Sequence, residues 1–248
     1  MKPLLYTVFC CFLLVSCLSD EKTVTDNSST DSITMEENSS DSIAEFPVIE
    51  PINQSQLNDE LAVVLDELIK IAKQKNVNRL MQHVSKDVIN DFKGNVGHDD
   101  FKTTWALTSS KAKQSEVWQL IRKLIKIGGA FENDSTYVTP FIFSTFPDGY
   151  EIRDFAVITG NHVRMRDAPS LQGEIISELD YEIVKLGDPK KSVIEQLGSE
   201  KYPWVEIIRQ NKEKGFVYGQ YLYSPGDYRL QMSNTSGKWM ITHLVSGD

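Results

Sequence analysis

The spacing of apolar residues switches once along this chain, from a helical to a strand period, and the switch admits only a fold of mixed class. Leu57, Leu61, Val64, Leu65, Leu68, Ile71 and Ala72 fall on one stripe, which predicts a first helix ending near Gln74. A second helix is expected over about 77–92, with Leu80, Met81, Val84, Val88 and Phe92 on one face and Gly94 and Gly97 ending it. Phe101 and Trp105 mark a short third element. Val117, Trp118, Leu120, Ile121, Leu124 and Ile125 predict a fourth helix over about 115–127, stopped by Gly128-Gly129 in the left-handed conformation that helix C-termini favour. Beyond it, runs rich in Tyr, Val, Phe and Ile at 136–144 and 152–159 read as strands. The expected fold class is α+β: a helical/α+β domain over 57–156, a small all-β domain over 157–224, and a C-terminal β-hairpin over 225–248 docking on the α+β part.

The first 56 residues carry no such pattern. Lys2 precedes an apolar run from Pro3 to Val15, and small Ser16 stands before Cys17, which is the anatomy of a signal peptide over 1–16. The run is too short to span a bilayer, which takes roughly 20 apolar residues, and Ser19, Asp20, Glu21 and Lys22 follow it directly. Leu14-Val15-Ser16-Cys17 resembles a bacterial lipobox. The resemblance implies lipidation of Cys17, with a membrane of the cell envelope as the partner. That membrane is expected to be the outer one, with the body on its periplasmic or surface face. Two or more acyl chains anchor firmly, since each buried CH₂ contributes about 0.8 kcal/mol. Ser19-Asp20-Glu21 also resembles the signal by which some Gram-negative lineages send lipoproteins to the cell surface, and equally fits a solvated linker.

Residues 17–56 read as the lipidated cysteine and a disordered acidic tether. Between residues 18 and 50 stand Asp20, Glu21, Asp26, Asp31, Glu36, Glu37, Asp41, Glu45 and Glu50 against Lys22 alone, a net charge of −8. As a flexible coil such a tether reaches roughly 35 Å. From residue 51 onward 24 basic residues face 26 acidic ones, without the basic excess that nucleic acid demands, so no nucleic-acid partner is expected. Cys10 and Cys11 would leave with the signal, so the body has no disulfide and must rely on core burial.

Residues 157–224 carry several spaced elements. They are Asn161-His162-Val163-Arg164, the turn Arg166-Asp167-Ala168-Pro169-Ser170, the strands at 174–179 and 181–186, Trp204-Val205-Glu206-Ile207, and a closing Gly215-Phe216-Val217-Tyr218-Gly219-Gln220-Tyr221-Leu222. In this order they resemble the bacterial SH3-like domain, a small barrel common in envelope proteins. Phe216 stands where that family usually has tryptophan, Asp180-Tyr181 replaces its usual turn, and an insertion over about 188–203 precedes Trp204. The resemblance implies a binding role, with peptidoglycan or an envelope protein as partner. Trp204, Phe216 and Tyr221 are read as barrel core. Arg166, Tyr181 and Tyr218 are the candidate ligand-binding residues, because aromatic faces beside a guanidinium suit sugars or peptides.

The strands at 227–232 and 238–245 around Asn234-Thr235-Ser236-Gly237 read as a hairpin, and two strands alone are marginal, so they must dock on earlier strands. The ending Gly237-Lys238-Trp239-Met240-Ile241 resembles the last hairpin of cone-shaped folds such as the nuclear transport factor 2 superfamily. As a whole the body is similar to uncharacterised Gram-negative lipoproteins that join a helical region to an SH3-like one. No zinc-protease, nucleophile-elbow or phosphate-loop motif occurs. An acylated Cys17 also leaves no thiol for catalysis. His98-Asp99-Asp100 reads as a helix start with flanking acids rather than a metal site. His83, His162 and His243 are scattered, with His243 read as a strand residue. No enzyme activity, cofactor or metal is therefore expected. Trp105, Trp118, Phe141 and Phe143 are read as core, or as walls of a pocket in the α+β part.

Overall fold

The computed structural model describes residues 46–91, 94 and 96–247. The segment expected to be a signal peptide, Cys17 and most of the expected tether lie outside the described residues, as does Phe92. Helix α1 (Asp59–Gln74) starts where the Asn58 side chain accepts the Leu61 N–H at 2.9 Å, a standard N-cap, and stops at Lys75 in the left-handed region (φ 54°). Its stripe of Leu61, Leu65, Leu68, Ile71 and Ala72 is buried, and each leucine or isoleucine contributes about 1.5–3 kcal/mol. Leu57, expected on that stripe, sits instead in a separate turn over Ser55–Leu57 and is 77% exposed.

The second helix is much shorter than its pattern suggested. Helix α2 (Val77–Met81) is capped by Asn76, and the chain then extends as strand β1 (Val84–Ile89). A spacing of four suits both periods, so Val84 and Val88 share a face in a strand as they would in a helix. β-Branched Val84, Val88 and Ile89 and a waiting partner strand decide for sheet. Helix α3 (His98–Thr104) follows, with Gly97 as its cap, and then α4 (Val117–Ile127), which buries Val117, Trp118, Ile121 and Leu124. Gly128 ends α4 at φ 92°, ψ 165°, an extended glycine conformation rather than the expected left-handed one. A Cβ there would meet the Ile52 carbonyl at 2.6 Å.

Strands β2 (Ala130–Asn133) and β3 (Thr136–Thr139) come next, and a cis Thr139–Pro140 bond and the short helix α5 (Ile142–Thr145) replace the rest of the expected 136–144 strand. The chain then builds β4 (Phe155–Ile158), β5 (Val163–Arg166), β6 (Ile175–Leu179), β7 (Ile183–Leu186), β8 (Val193–Leu197), β9 (Glu200–Ile208), β10 (Lys214–Tyr218) and β11 (Leu222–Tyr223). These eight strands form one sheet in the order β11-β4-β7-β9-β10-β5-β6, with β8 paired to β9. Its edges β6 and β11 do not pair with each other, so the sheet is open and not the closed barrel expected for 157–224. Ala156, Ile158, Val163, Met165, Leu179, Val184, Ile207, Val217 and Leu222 are its apolar core.

The C-terminal hairpin, β12 (Tyr228–Thr235) and β13 (Lys238–Ser246), returns to the first sheet. β12 pairs antiparallel with β3 (Met232 opposite Tyr137) and β13 pairs parallel with β1 (Val84 opposite Ile241). The five-stranded order is β1-β13-β12-β3-β2, so the last residues supply two of its three interior strands. The fold is α+β, with the second sheet interposed in sequence between β3 and β12. Val157, Ile183 and Tyr223 of that second sheet join the large apolar cluster of α1, α4 and the first sheet, which makes the two sheets one body.

Residues 46–56, expected to belong to a disordered tether, are packed on the body. Phe46 packs edge-on against Phe155 (5.7 Å) and Tyr150 (6.0 Å), and its N–H donates to Gln210 Oε1. The Ile49 N–H donates to the Tyr181 carbonyl (2.9 Å), and the Gln54 N–H to that of Gly129 (2.9 Å). Residues 46–56 therefore strap both sheets, because Phe46 and Ile49 bring apolar surface that the acidic residues before them lack.

Candidate functional site

Helix α4 has two working faces. One is the apolar stripe already described, and the other carries Gln119, Arg122 and Lys123, whose spacing of three and four places them side by side toward the second sheet. Gln119 makes reciprocal bonds with the Lys201 backbone, donating to its carbonyl (2.8 Å) and accepting from its N–H (3.2 Å). Arg122 pairs with Glu200 at 2.9 Å. The Lys123 ammonium donates to the carbonyls of Gly219 (3.0 Å) and Leu222 (2.6 Å) and lies 5.5 Å from the centre of the Tyr202 ring. Burial pulls its pKa below the usual lysine value, and the charge of Asp227 partly opposes this. Three polar anchors thus bolt α4 to the β8–β9 hairpin and to the segment around β11.

Beside this seam opens a cleft of about 810 Å³, within the range of roughly 300–1,000 Å³ usual for small-molecule sites. Its aromatic wall is Trp105, Trp118, Tyr202, Tyr223 and Tyr228, with Trp105 and Tyr228 in tilted contact at 5.2 Å. Lys73, Lys75, Arg122, Lys123 and Lys201 face it against two acids, Glu116 and Asp227. The buried indole N–H of Trp105, the Tyr223 hydroxyl and the Arg122 Nε have no hydrogen-bond partner. Burial raises the Tyr223 phenol well above the ordinary range, and does the same to Tyr202, where the charge of Glu200 adds to it. A smaller hollow of about 260 Å³ shares Arg122, Lys123 and Tyr202 and extends to Gln220 and Tyr221.

The residues expected to bind ligand are not brought together. Arg166 is 9% exposed, and its guanidinium donates to the Gly173 carbonyl (2.6 Å), where it fastens the turn after β5. Tyr218 is 3% exposed, and its hydroxyl accepts the Tyr202 N–H (3.0 Å) and reaches the carbonyls of Glu195 and Glu200. Both serve the interior because β10 turns Phe216 and Tyr218 to one side, opposite Arg166 and Trp204. Tyr181 is half-buried at φ 51°, with its carbonyl taken by Ile49. Trp204 is core, Phe216 is partly buried, and Tyr221, expected in the core, is 41% exposed beside the smaller hollow.

The remaining candidates are structural in their contacts. His98 opens α3 and its Nε2 lies 2.9 Å from the Val84 carbonyl. His83 lies 3.5 Å from Glu67, and His162 lies 3.4 Å from Glu178. His243 Nδ1 is 3.2 Å from Thr242 Oγ1, which in turn is 3.0 Å from Ser233 Oγ, at the irregularity where β12 and β13 slip register. Burial lowers the His243 pKa, and Arg229 adds to the effect. Phe141 is core, Trp105 and Trp118 are buried and also line the cleft, and Phe143 lies 4.0 Å beneath the Arg229 guanidinium. Among the described residues no cluster of His, Cys, Asp and Glu could hold a metal, and no helix is long and apolar enough to cross a membrane. No family model, curated protein or solved structure matches the chain. The polar stripe that organises the cleft was present in the sequence as Gln119-Leu120-Ile121-Arg122-Lys123, on the face of α4 that an apolar count ignores.

Proposed function

We propose that this chain is a lipid-anchored binding protein of the cell envelope, acylated at Cys17, whose second sheet is an SH3-like module and which takes peptidoglycan or an envelope protein as partner without catalysing a reaction. The observation that carries binding is the cleft where α4 meets the β8–β9 hairpin, walled by five aromatic rings and edged by lysines. Aromatic faces hold sugar or peptide planes, and neighbouring donors fix their orientation. The insertion that interrupts the SH3-like pattern becomes a turn over Pro189–Lys191, β8 and the first residues of β9, so it builds one wall of that cleft. The lipobox resemblance supplies the anchor, and the acidic tether supplies reach toward a wall or a neighbouring protein.

The test is retention of the full chain by purified cell-wall sacculi at low and high salt. Retention at both supports the wall-binding form of the proposal, and release at both overturns it. A second reading, a protein-interaction lipoprotein without wall binding, is favoured by Val193 and Ile194, apolar residues on β8 that are 47% and 65% exposed. It expects one specific crosslinked envelope protein and no retention by sacculi.

A further inference from the structure

The cleft beside α4 has features that wall adhesion by itself does not require. The indole N–H of Trp105 can only donate, and it is shielded from solvent with no acceptor. Tyr223 is 1% exposed and its hydroxyl is likewise without a partner. Buried polar groups are nearly always satisfied in folded proteins, so Trp105 and Tyr223, both residues of the cleft lining, are unusual in lacking a partner. The charge points the same way. Arg122 is engaged by Glu200 and Lys123 by two carbonyls, but among the described residues no ion pair uses Lys73, Lys75 or Lys201. These three lysines line one cleft in a body that is otherwise close to neutral. Glu116 and Asp227 sit among them, which opposes a densely charged phosphate more than a singly charged group.

We infer that the cleft is a site for a compact carboxylate-bearing ligand, its apolar or ring portion against Trp105 and Tyr228 and its carboxylate toward the lysine edge. The inference rests on reading the chain as a binding protein, not on the wall as its partner. Two sources share this chemistry, a short acidic peptide of the wall-stem type and a free sugar acid.

The experiment titrates the full chain, held in detergent, with the dipeptide L-Ala-D-Glu, with glucuronate, with the amide of each, and with inorganic phosphate. Calorimetry and the change in tryptophan fluorescence report binding. At least one carboxylate should bind, its amide should bind at least about tenfold more weakly, and Lys73→Glu with Lys201→Glu should weaken it by about tenfold or more. Both lysines are exposed on the surface, so the double variant should unfold at the wild-type temperature. Binding of the dipeptide alone names the peptide source, and binding of glucuronate alone names the sugar acid. Equal affinity for acid and amide, binding of phosphate alone, wild-type affinity in the double variant, or no binding at millimolar concentration would each overturn the inference. Sacculi tested with the same preparation separate the two claims. Retention without small-ligand binding removes the carboxylate site alone, and small-ligand binding without retention removes the wall-binding role alone.

Discussion

Replacing Thr139 with valine isolates one hydroxyl that holds the end of the helix bordering the cleft. Thr139 is fully buried on β3, and its Oγ1 lies 2.6 Å from the Leu124 carbonyl and 2.9 Å from that of Gly128. A hydroxyl carries one proton, so one carbonyl receives it. Gly128 O already accepts the Phe141 N–H at 2.9 Å, whereas the Gly128 N–H turns to Ile125 (3.2 Å), leaving Leu124 O to Thr139. Valine fills nearly the same volume, so no cavity opens and the cost is that of an orphaned buried carbonyl, about 1–3 kcal/mol. At about 2–4 °C per kcal/mol for a body of this size, a cost near 2 kcal/mol lowers Tm by about 4–8 °C. Thr139→Ser keeps the donor and loses one methyl, which costs about 1 kcal/mol. Urea or thermal unfolding of the full chain should rank wild type above serine and serine above valine. Valine at or above serine would refute the assignment of the bond to Leu124.

Cys17→Ser should move the protein from the membrane to the soluble fraction and abolish labelling by a fatty acid; continued membrane fractionation would defeat the lipoprotein reading. Tyr223→Phe removes a buried hydroxyl without a partner, so stability in the absence of ligand should hold or rise by up to about 1 kcal/mol; a loss of more than about 1 kcal/mol would show that the hydroxyl has a partner. Burial pushes the Tyr137 phenol up to about 12 from an unfolded value near 10. The unfolded chain therefore loses that proton first, so the stability Tyr137 contributes is complete below pH about 10 and is lost as pH rises through about 12. Tyr137→Phe should lessen the alkaline loss in pH-dependent unfolding, and an unchanged profile would contradict it.

The α+β class was legible because Leu61, Leu65, Leu68 and Ile71 carry a period no strand would keep, and because the hairpin's own marginality demanded a sheet to join. The error at 77–92 has a physical source. Val84 and Val88 are separated by a number that both periods accept, and the deciding partner, Ile241, lies far along the chain. The binding residues failed differently. Reading Phe216 as core and Tyr218 as exposed contradicts the period of two, which puts both on one face, and the register sets Tyr218 opposite buried Trp204. A consistent use of alternation would have removed Tyr218 from the groove without any structure. Arg166 opposite Phe216 needed the register itself.

The cleft lay beyond any reading of local pattern, since its walls come from the end of α1, from Trp105, from α4, from the β8–β9 hairpin and from the segment after β11. What brings these pieces together is the return of β12 and β13 to the first sheet. That return carries the segment after β11 back past α4, whose seam residues hold the neighbouring strands: Lys123 takes the Leu222 carbonyl in β11, while Arg122 and Gln119 take the start of β9. A chain that ended after the second sheet would leave β3 without its partner β12 and Lys123 without an enclosing wall. The C-terminal hairpin, which lines the cleft through Tyr228 and otherwise lies beside it, is therefore an element on which the cleft's geometry depends.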